Sequence, residues 1–174
     1  KDRQTIADTV YAVMRAHARL GWWLARLNLE DAPRQRVLLW LVLETQMPVQ
    51  HIRNRFDGSK YGPAKLKDDE ILLIEKLDGK ALAHDGMPEA VRFECPPAYI
   101  DDLRGRFGNH FADEMAAMLE TAPIDLRVNT MYAGRETVRA MLAEDGITAR
   151  PTPYSPWGLR LERRAHLATT KAYK

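Results

Sequence analysis

The sequence has one cysteine, Cys95, among its 174 residues. An internal disulfide is excluded, and so is any Cys-x-x-Cys metal or redox motif. Histidine is also sparse. His17, His51, His84, His110 and His166 are scattered, and none has a Cys, His or Asp neighbour at metal-ligand spacing. No metal is expected. The longest apolar run, Val37 to Leu43, is far too short to cross a bilayer. No basic-then-apolar leader is visible near Lys1. No membrane partner is expected, and a cytoplasmic location is. Glycine-rich phosphate and cofactor loops are missing too, because Gly105 and Gly108 make only a GxxG with no strand before it. Cys95 has no base beside it in sequence and is followed by Pro96-Pro97, so nucleophilic chemistry is not assigned to it. No catalytic, cofactor-binding or metal-binding residue is expected in these residues.

Net charge is only +2, but it is unevenly spread. Residues 1–60 carry 10 Lys/Arg against 6 Asp/Glu, residues 61–125 carry 7 against 14, and residues 126–174 carry 9 against 4. Two basic ends around an acidic middle fit an anionic partner touched by both ends. The alternative is ordinary solvated faces.

The spacing predicts helices through residue 121. Ile6, Val10, Val13 and His17, with Met14 beside Val13, fall on one face of a helix over 2–18. Arg3, Arg15 and Arg19 lie off that face. Trp22, Trp23, Leu24 and Leu27 begin a second helix. Asp31 is the expected N-cap of a helix over 33–46, with Pro33 in its first turn. That helix is apolar almost all round at its centre, which suits the middle of a bundle. Short amphipathic helices follow after Pro48, from Asp68-Asp69-Glu70, and over Tyr99–Phe107 and Phe111–Leu119, while residues 87–97 take no assignment. The four tryptophans are read as core, with Trp157 the exception.

The pattern changes after Pro123. Leu126 and Val128 alternate with Arg127 and Asn129 over Leu126–Thr130, as in a half-buried strand. Arg135 to Asp145 is a predicted helix stopped by Gly146. Ile147 to Pro153 is an expected edge strand, and Leu159 to Glu162 another. The fold class is therefore α+β: an all-helical bundle over residues 1–121, then a small β-α-β-β unit over residues 122–174. Arg127, Arg160, Arg163 and Arg164 sit on or after adjacent strands, with Lys171 nearby. Alternation puts Arg127 and Asn129 on one face, where Arg suits phosphates and Asn suits sugar or base edges. A solvated sheet face or an interdomain salt-bridge surface is the other reading of these residues.

Residues 123–162, PIDLRVNTMYAGRETVRAMLAEDGITARPTPYSPWGLRLE, resemble the region just before the catalytic domain of bacterial Sun/Fmu (RsmB-type) ribosomal RNA cytosine-5 methyltransferases. The features that carry the resemblance are Pro123, the LRVNT core, Arg135-Glu136, Gly146-Ile147 and Gly158-Leu159-Arg160-Leu161. Upstream, Asp2-Arg3 followed by Val10-Tyr11 and Arg15 is similar to the NusB-like helical domain of the same proteins. The resemblance implies an enzyme, as the full-length protein, that methylates carbon-5 of cytosine with S-adenosylmethionine. Its catalytic cysteines and cofactor loop are expected in a Rossmann-type domain after Lys174, and Cys95 matches neither cysteine. The helix and basic segment that NusB-type RNA binders use before residue 2 are not seen in the chain. The 174 residues are expected to be inactive alone and to position RNA. The RNA-binding candidates are Arg127, Asn129, Arg160, Arg163, Arg164, Lys171, Arg3, Arg15 and Arg19. Ribosomal RNA is the expected partner, with a protein contact through the bundle. The alternative is a stand-alone NusB-like module that binds RNA or protein without catalysis.

Overall fold

Helices α1 (Asp2–Arg15) and α2 (His17–Arg26) meet at Ala16, whose N–H lies 3.2 Å from the carbonyls of both Ala12 and Val13. The computed structural model describes residues 2–173. Of the apolar stripe of α1, only Val13 packs against the core. Ile6, Val10 and Met14 are 64%, 50% and 63% exposed, and His17 is exposed too. Ala12, Val13 and Ala16 turn inward instead, because small side chains let α1 approach α2 and α3 (Pro33–Leu43) closely.

Helix α3 behaves as its composition predicts. Leu38, Leu39, Leu41, Val42 and Leu43 are all buried in the main core with Leu20, Trp23, Leu24, Ile52, Ile74 and Leu77. Its ends differ from expectation. Ala32 is the N-cap, and Asp31 takes two bonds from the Arg36 guanidinium at 2.6 and 2.7 Å. This pairing holds the Asp31 carboxyl below its ordinary range. The helix stops at Leu43 rather than at 46. Gln46 adopts φ 51°, and its side-chain amide donates to the Val42, Leu43 and Lys80 carbonyls at 3.3, 2.8 and 2.7 Å. The last carbonyls of α3 are thereby satisfied without another turn.

Four further helices surround this core or follow it: α4 (Val49–Arg55), α5 (Asp68–Leu77), α6 (Glu89–Arg92) and α7 (Ile100–Phe107). Helix α8 (Phe111–Leu119) completes the helical part. Cys95, Phe111 and Met115 form a second, smaller core, so Cys95 is a packed apolar group. The N-terminus of α2 is held by Glu94, whose carboxylate accepts the N–H groups of Ala18 and Arg19 at 2.6 and 2.9 Å.

By packing, the chain divides into Lys1–Leu119 and Glu120–Lys174. The second unit contains strand β1 (Asp125–Arg127), helix α9 (Arg135–Glu144), β2 (Ala149–Pro151) and β3 (Gly158–Leu161). β1 and β2 are shorter than the alternation predicts, and β3 keeps its expected length but is shifted by one residue. They form an antiparallel sheet in the order β1-β3-β2. Gly146 ends α9 with φ 74°, a conformation that glycine reaches without steric cost. Leu142, Ala149, Val128, Leu159 and Leu161 make the core of this unit. The molecule is an α+β protein, as its pattern changes predict. No helix among the described residues is long and apolar enough to cross a membrane.

Glu70 is the buried charge of the helical unit, with 3% of its surface exposed. Its carboxylate accepts Arg34 Nε and Nη2 at 2.7 and 2.9 Å and the Lys67 N–H at 2.9 Å. The Arg34 guanidinium also lies 4.9 Å from the Phe56 ring centre. Hydrogen bonding to Arg34 lowers the Glu70 pKa and raises that of Arg34. A carboxyl whose pKa is depressed on folding stabilises the fold above its unfolded value, about 4.3, and loses that contribution as pH falls through the folded value. Glu70→Gln should cost about 2 kcal/mol at neutral pH. The gap in melting temperature between wild type and variant should narrow as pH is lowered below about 4. A gap that does not change with pH would show that the charge of Glu70 contributes nothing.

Candidate nucleic-acid interface

The four residues of β3 place the candidate site. Alternation sends Leu159 and Leu161 into the core and leaves Arg160 on the outer face. Strand pairing then sets Asp125 directly opposite Arg160 on one side and Arg150 opposite it on the other. Asp125 and Arg160 close a two-pronged ion pair, with Nε–Oδ1 and Nη2–Oδ2 both at 2.7 Å. The Arg160 hydrogen bonds lead the lowering of the Asp125 pKa, with Arg150 contributing a smaller attraction. The same pairing raises the Arg160 pKa. Asp125 lies just before the expected strand, and which residue faces Arg160 depends on a register set by the fold.

Arg127 lies two residues along β1, opposite Gly158 and on the same outer face. It is exposed and makes no ion pair or hydrogen bond within the described residues. Asn129 is exposed, but its Oδ1 accepts the Met131 N–H at 3.2 Å. Its side chain therefore shapes the turn after β1, and its amide nitrogen is left to face outward contacts. Arg163 and Arg164 follow β3 in an exposed stretch. Arg163 lines a shallow depression with Gly146, Ile147 and Thr148. Lys171 binds the end of α9: its ammonium lies 2.9 Å from Glu144, and its N–H donates to Asp145 at 2.9 Å. The Glu144 hydrogen bond raises the Lys171 pKa.

The other candidates belong to the helical unit. Arg19 is largely buried against Glu94, with Nε–Oε1 at 3.1 Å, and reaches toward Glu44 at 3.9 Å. Arg15 is half-buried, whereas Arg3 is exposed near the start of α1. Arg127, Asn129 and Arg160 are thus brought to one face of one sheet. Arg3, Arg15 and Arg19 are not part of that face.

Sequence reading missed Arg150 and Arg135. Arg150 sits between Ala149 and Pro151, where alternation alone would have placed it outward with Arg160. Arg135 starts α9 and donates from Nη1 to the Ser155 carbonyl at 3.4 Å, a contact between distant turns that carries no local signature. No group of three or more His, Cys, Asp or Glu residues among the described ones is placed to hold a metal ion. Gly105 lies inside α7, so the GxxG is not a phosphate-cradling turn at a strand end.

Residues 95–168 match the family described as "Methyltr_RsmF/B-like, ferredoxin-like domain". This stretch is similar to an RsmF/B-like ferredoxin-like domain. Its β-α-β-β order corresponds to the first four elements of the β-α-β-β-α-β pattern. The match begins at Cys95, so it takes in α7 and α8, which pack with the helical unit. The crystal structure of PH0851 shares the fold, with a TM-score of 0.65 over 98% of this chain at 17% identity. This chain spans 42% of the length of PH0851. No curated protein matches the chain.

The close approach of the β2–β3 connection onto β3 constrains this α/β unit. A Cβ added at Gly158 would lie 2.0 Å from Thr152 Oγ1, 3.0 Å from Thr152 Cβ and 3.1 Å from Ser155 Cβ. Gly158→Ala should therefore cost about 1–3 kcal/mol in chemical denaturation. A variant as stable as wild type would show that the Thr152 turn moves away without penalty.

Proposed function

We propose that this chain is the N-terminal, RNA-positioning part of a ribosomal RNA cytosine-5 methyltransferase that uses S-adenosylmethionine. The observation that carries this reading is the match of residues 95–168 to the RsmF/B-like domain, joined to an outward sheet face bearing Arg127, Arg150 and Arg160. Cys95 is a buried core residue. Methyl transfer and the cofactor are therefore assigned to a further part of a longer protein. That agrees with the 42% share of PH0851 that this chain spans. The proposed partner is ribosomal RNA, and the proposed compartment is the cytoplasm.

On this reading the residues divide by availability. Arg127 is free to neutralise a phosphate. Arg160 meets RNA as half of a pair with Asp125, so its charge is partly offset. Arg163 and Arg164 extend the basic surface past β3, and Asn129 offers its amide N–H to a sugar or base. Lys171 is tied to Glu144. Arg19 serves the packing of α2, and Arg3 and Arg15 lie on α1.

A second reading, a non-enzymatic helical module that binds protein, is favoured by the exposed Ile6, Val10 and Met14 stripe on α1. A reading frame that continues past Lys174 into a cofactor loop and a Pro-Cys motif selects the first reading. A stop codon shortly after Lys174 selects the second.

Arg127→Ala should weaken RNA binding by severalfold and reduce the slope of log affinity against log salt by about 0.7–0.9, the loss of one phosphate contact. Arg160→Ala should do less, because it also releases the Asp125 carboxylate onto the same face. Asp125→Asn should tighten binding. Filter binding or anisotropy across a salt series measures all three. Unchanged affinity and slope in both arginine variants would reject the sheet face as an RNA surface.

A further inference from the structure

Every aromatic side chain of the α/β unit is outside its core. Tyr132, Tyr154, Trp157 and Tyr173 are 88%, 99%, 51% and 71% exposed, while the core is built from aliphatic residues alone. Tyr132, Tyr154 and Trp157 lie in two loops that leave the same end of the sheet. Strand β1 ends there at Arg127 opposite Gly158, and β2 ends there at Pro151 opposite Leu159. The Val128 N–H donates to the Trp157 carbonyl at 2.9 Å, and Arg135 bridges to the Ser155 carbonyl at 3.4 Å. Met131, 90% exposed, joins the aromatic residues at this end.

The loops are ordered from within. Asn129 accepts the N–H of Met131 on its side chain at 3.2 Å and that of Tyr132 on its carbonyl at 3.1 Å. Ser155 accepts the N–H of Trp157 on its hydroxyl and that of Gly158 on its carbonyl, both at 3.3 Å. Pro153 and Pro156 fix φ on either side of Tyr154 and Ser155. Flat side chains are thus held outward on a backbone that loses little freedom when a ligand arrives.

Charge decides which ligand fits. Residues 126–135 and 146–161 contain Arg127, Arg135, Arg150 and Arg160 and no Asp or Glu. Asp125 and Glu136 flank these stretches and pair with Arg160 and Arg135, which leaves Arg127 without a carboxylate partner among the described residues. Aromatic faces beside such an arginine match nucleobases joined by phosphates. A protein surface would also take aromatic groups, and the unpartnered Arg127 guanidinium beside them favours a phosphate chain.

We infer that this end of the sheet is a stacking platform for unpaired RNA nucleotides, with Tyr132, Tyr154 and Trp157 taking base faces and Arg127 and Arg150 the phosphates between them. The inference rests on the RNA-positioning reading above and specifies its substrate as a single-stranded segment. Duplex RNA buries its base faces in its own stack and so cannot use the platform.

The test uses the 174-residue chain, a short unpaired RNA oligonucleotide, and the same oligonucleotide annealed to its complement. Anisotropy titrations should show tighter binding of the unpaired strand. Trp157→Leu and Tyr154→Leu should each weaken that binding by about tenfold. Their salt slopes and melting temperatures should stay at wild-type values, because stacking releases no counterions and neither side chain is in the core. Equal affinity for the two RNAs, or unchanged affinity in both variants, overturns the platform. If Arg127→Ala still weakens binding in that case, the RNA-positioning reading survives without it. If the wild-type chain binds neither RNA, both fall. Variants that lose self-association in sedimentation while keeping RNA affinity would assign this end to a protein contact and overturn the proposal.

Discussion

The side-chain period of two along β3 is the constraint on which the α/β unit depends. β3 is the central strand, hydrogen-bonded on both edges, and it has only Gly158 to Leu161 to work with. Leu159 and Leu161 must fill the core, so Arg160 must face out, and pairing then brings Asp125 and Arg150 into line with it. A shift of one residue would bury Arg160 and expose both leucines. The hydrophobic core and the arginine face are therefore one choice of register.

The helical unit shows how context gives the same side chain different tasks. Arg34, Arg36 and Arg19 are each held by a carboxylate: Arg34 ties α3 to Glu70 of α5, Arg36 ties α3 to Asp31 just before it, and Arg19 ties α2 to Glu94. A guanidinium engaged in this way has few donors left for a partner molecule. Arg127 has no such carboxylate. The difference lies in what the fold places beside each arginine, so counting basic residues overstates the surface available to an anion.

Exposure sorts the apolar residues in the same way. Trp23 is buried and gives its indole N–H to the Leu82 carbonyl at 2.8 Å. Trp157 stands half outside at the end of a sheet whose core is wholly aliphatic. On α1 the larger apolar residues lie outside because Ala12 and Ala16 suit the close crossing. Hydrophobic periodicity finds a helix face, but the neighbours decide whether that face is covered.

Local sequence patterns were enough for the α+β class, the apolar centre of α3, the change of pattern after Pro123 and the stop of α9 at Gly146. Each of these follows from local chemistry: an apolar run, alternation, or the left-handed freedom of glycine. Residues 123–162 resemble the region before the catalytic domain of Sun/Fmu (RsmB-type) methyltransferases, and the family match over residues 95–168 overlaps that region. Folding settles which arginines have partners, that Asn129 shapes its own turn, that α1 turns its small residues inward, and that Tyr132, Tyr154 and Trp157 share one end of the sheet. Those facts depend on pairing between residues far apart in the chain, as Asp125 and Arg160 are, and local spacing holds no information about such pairs.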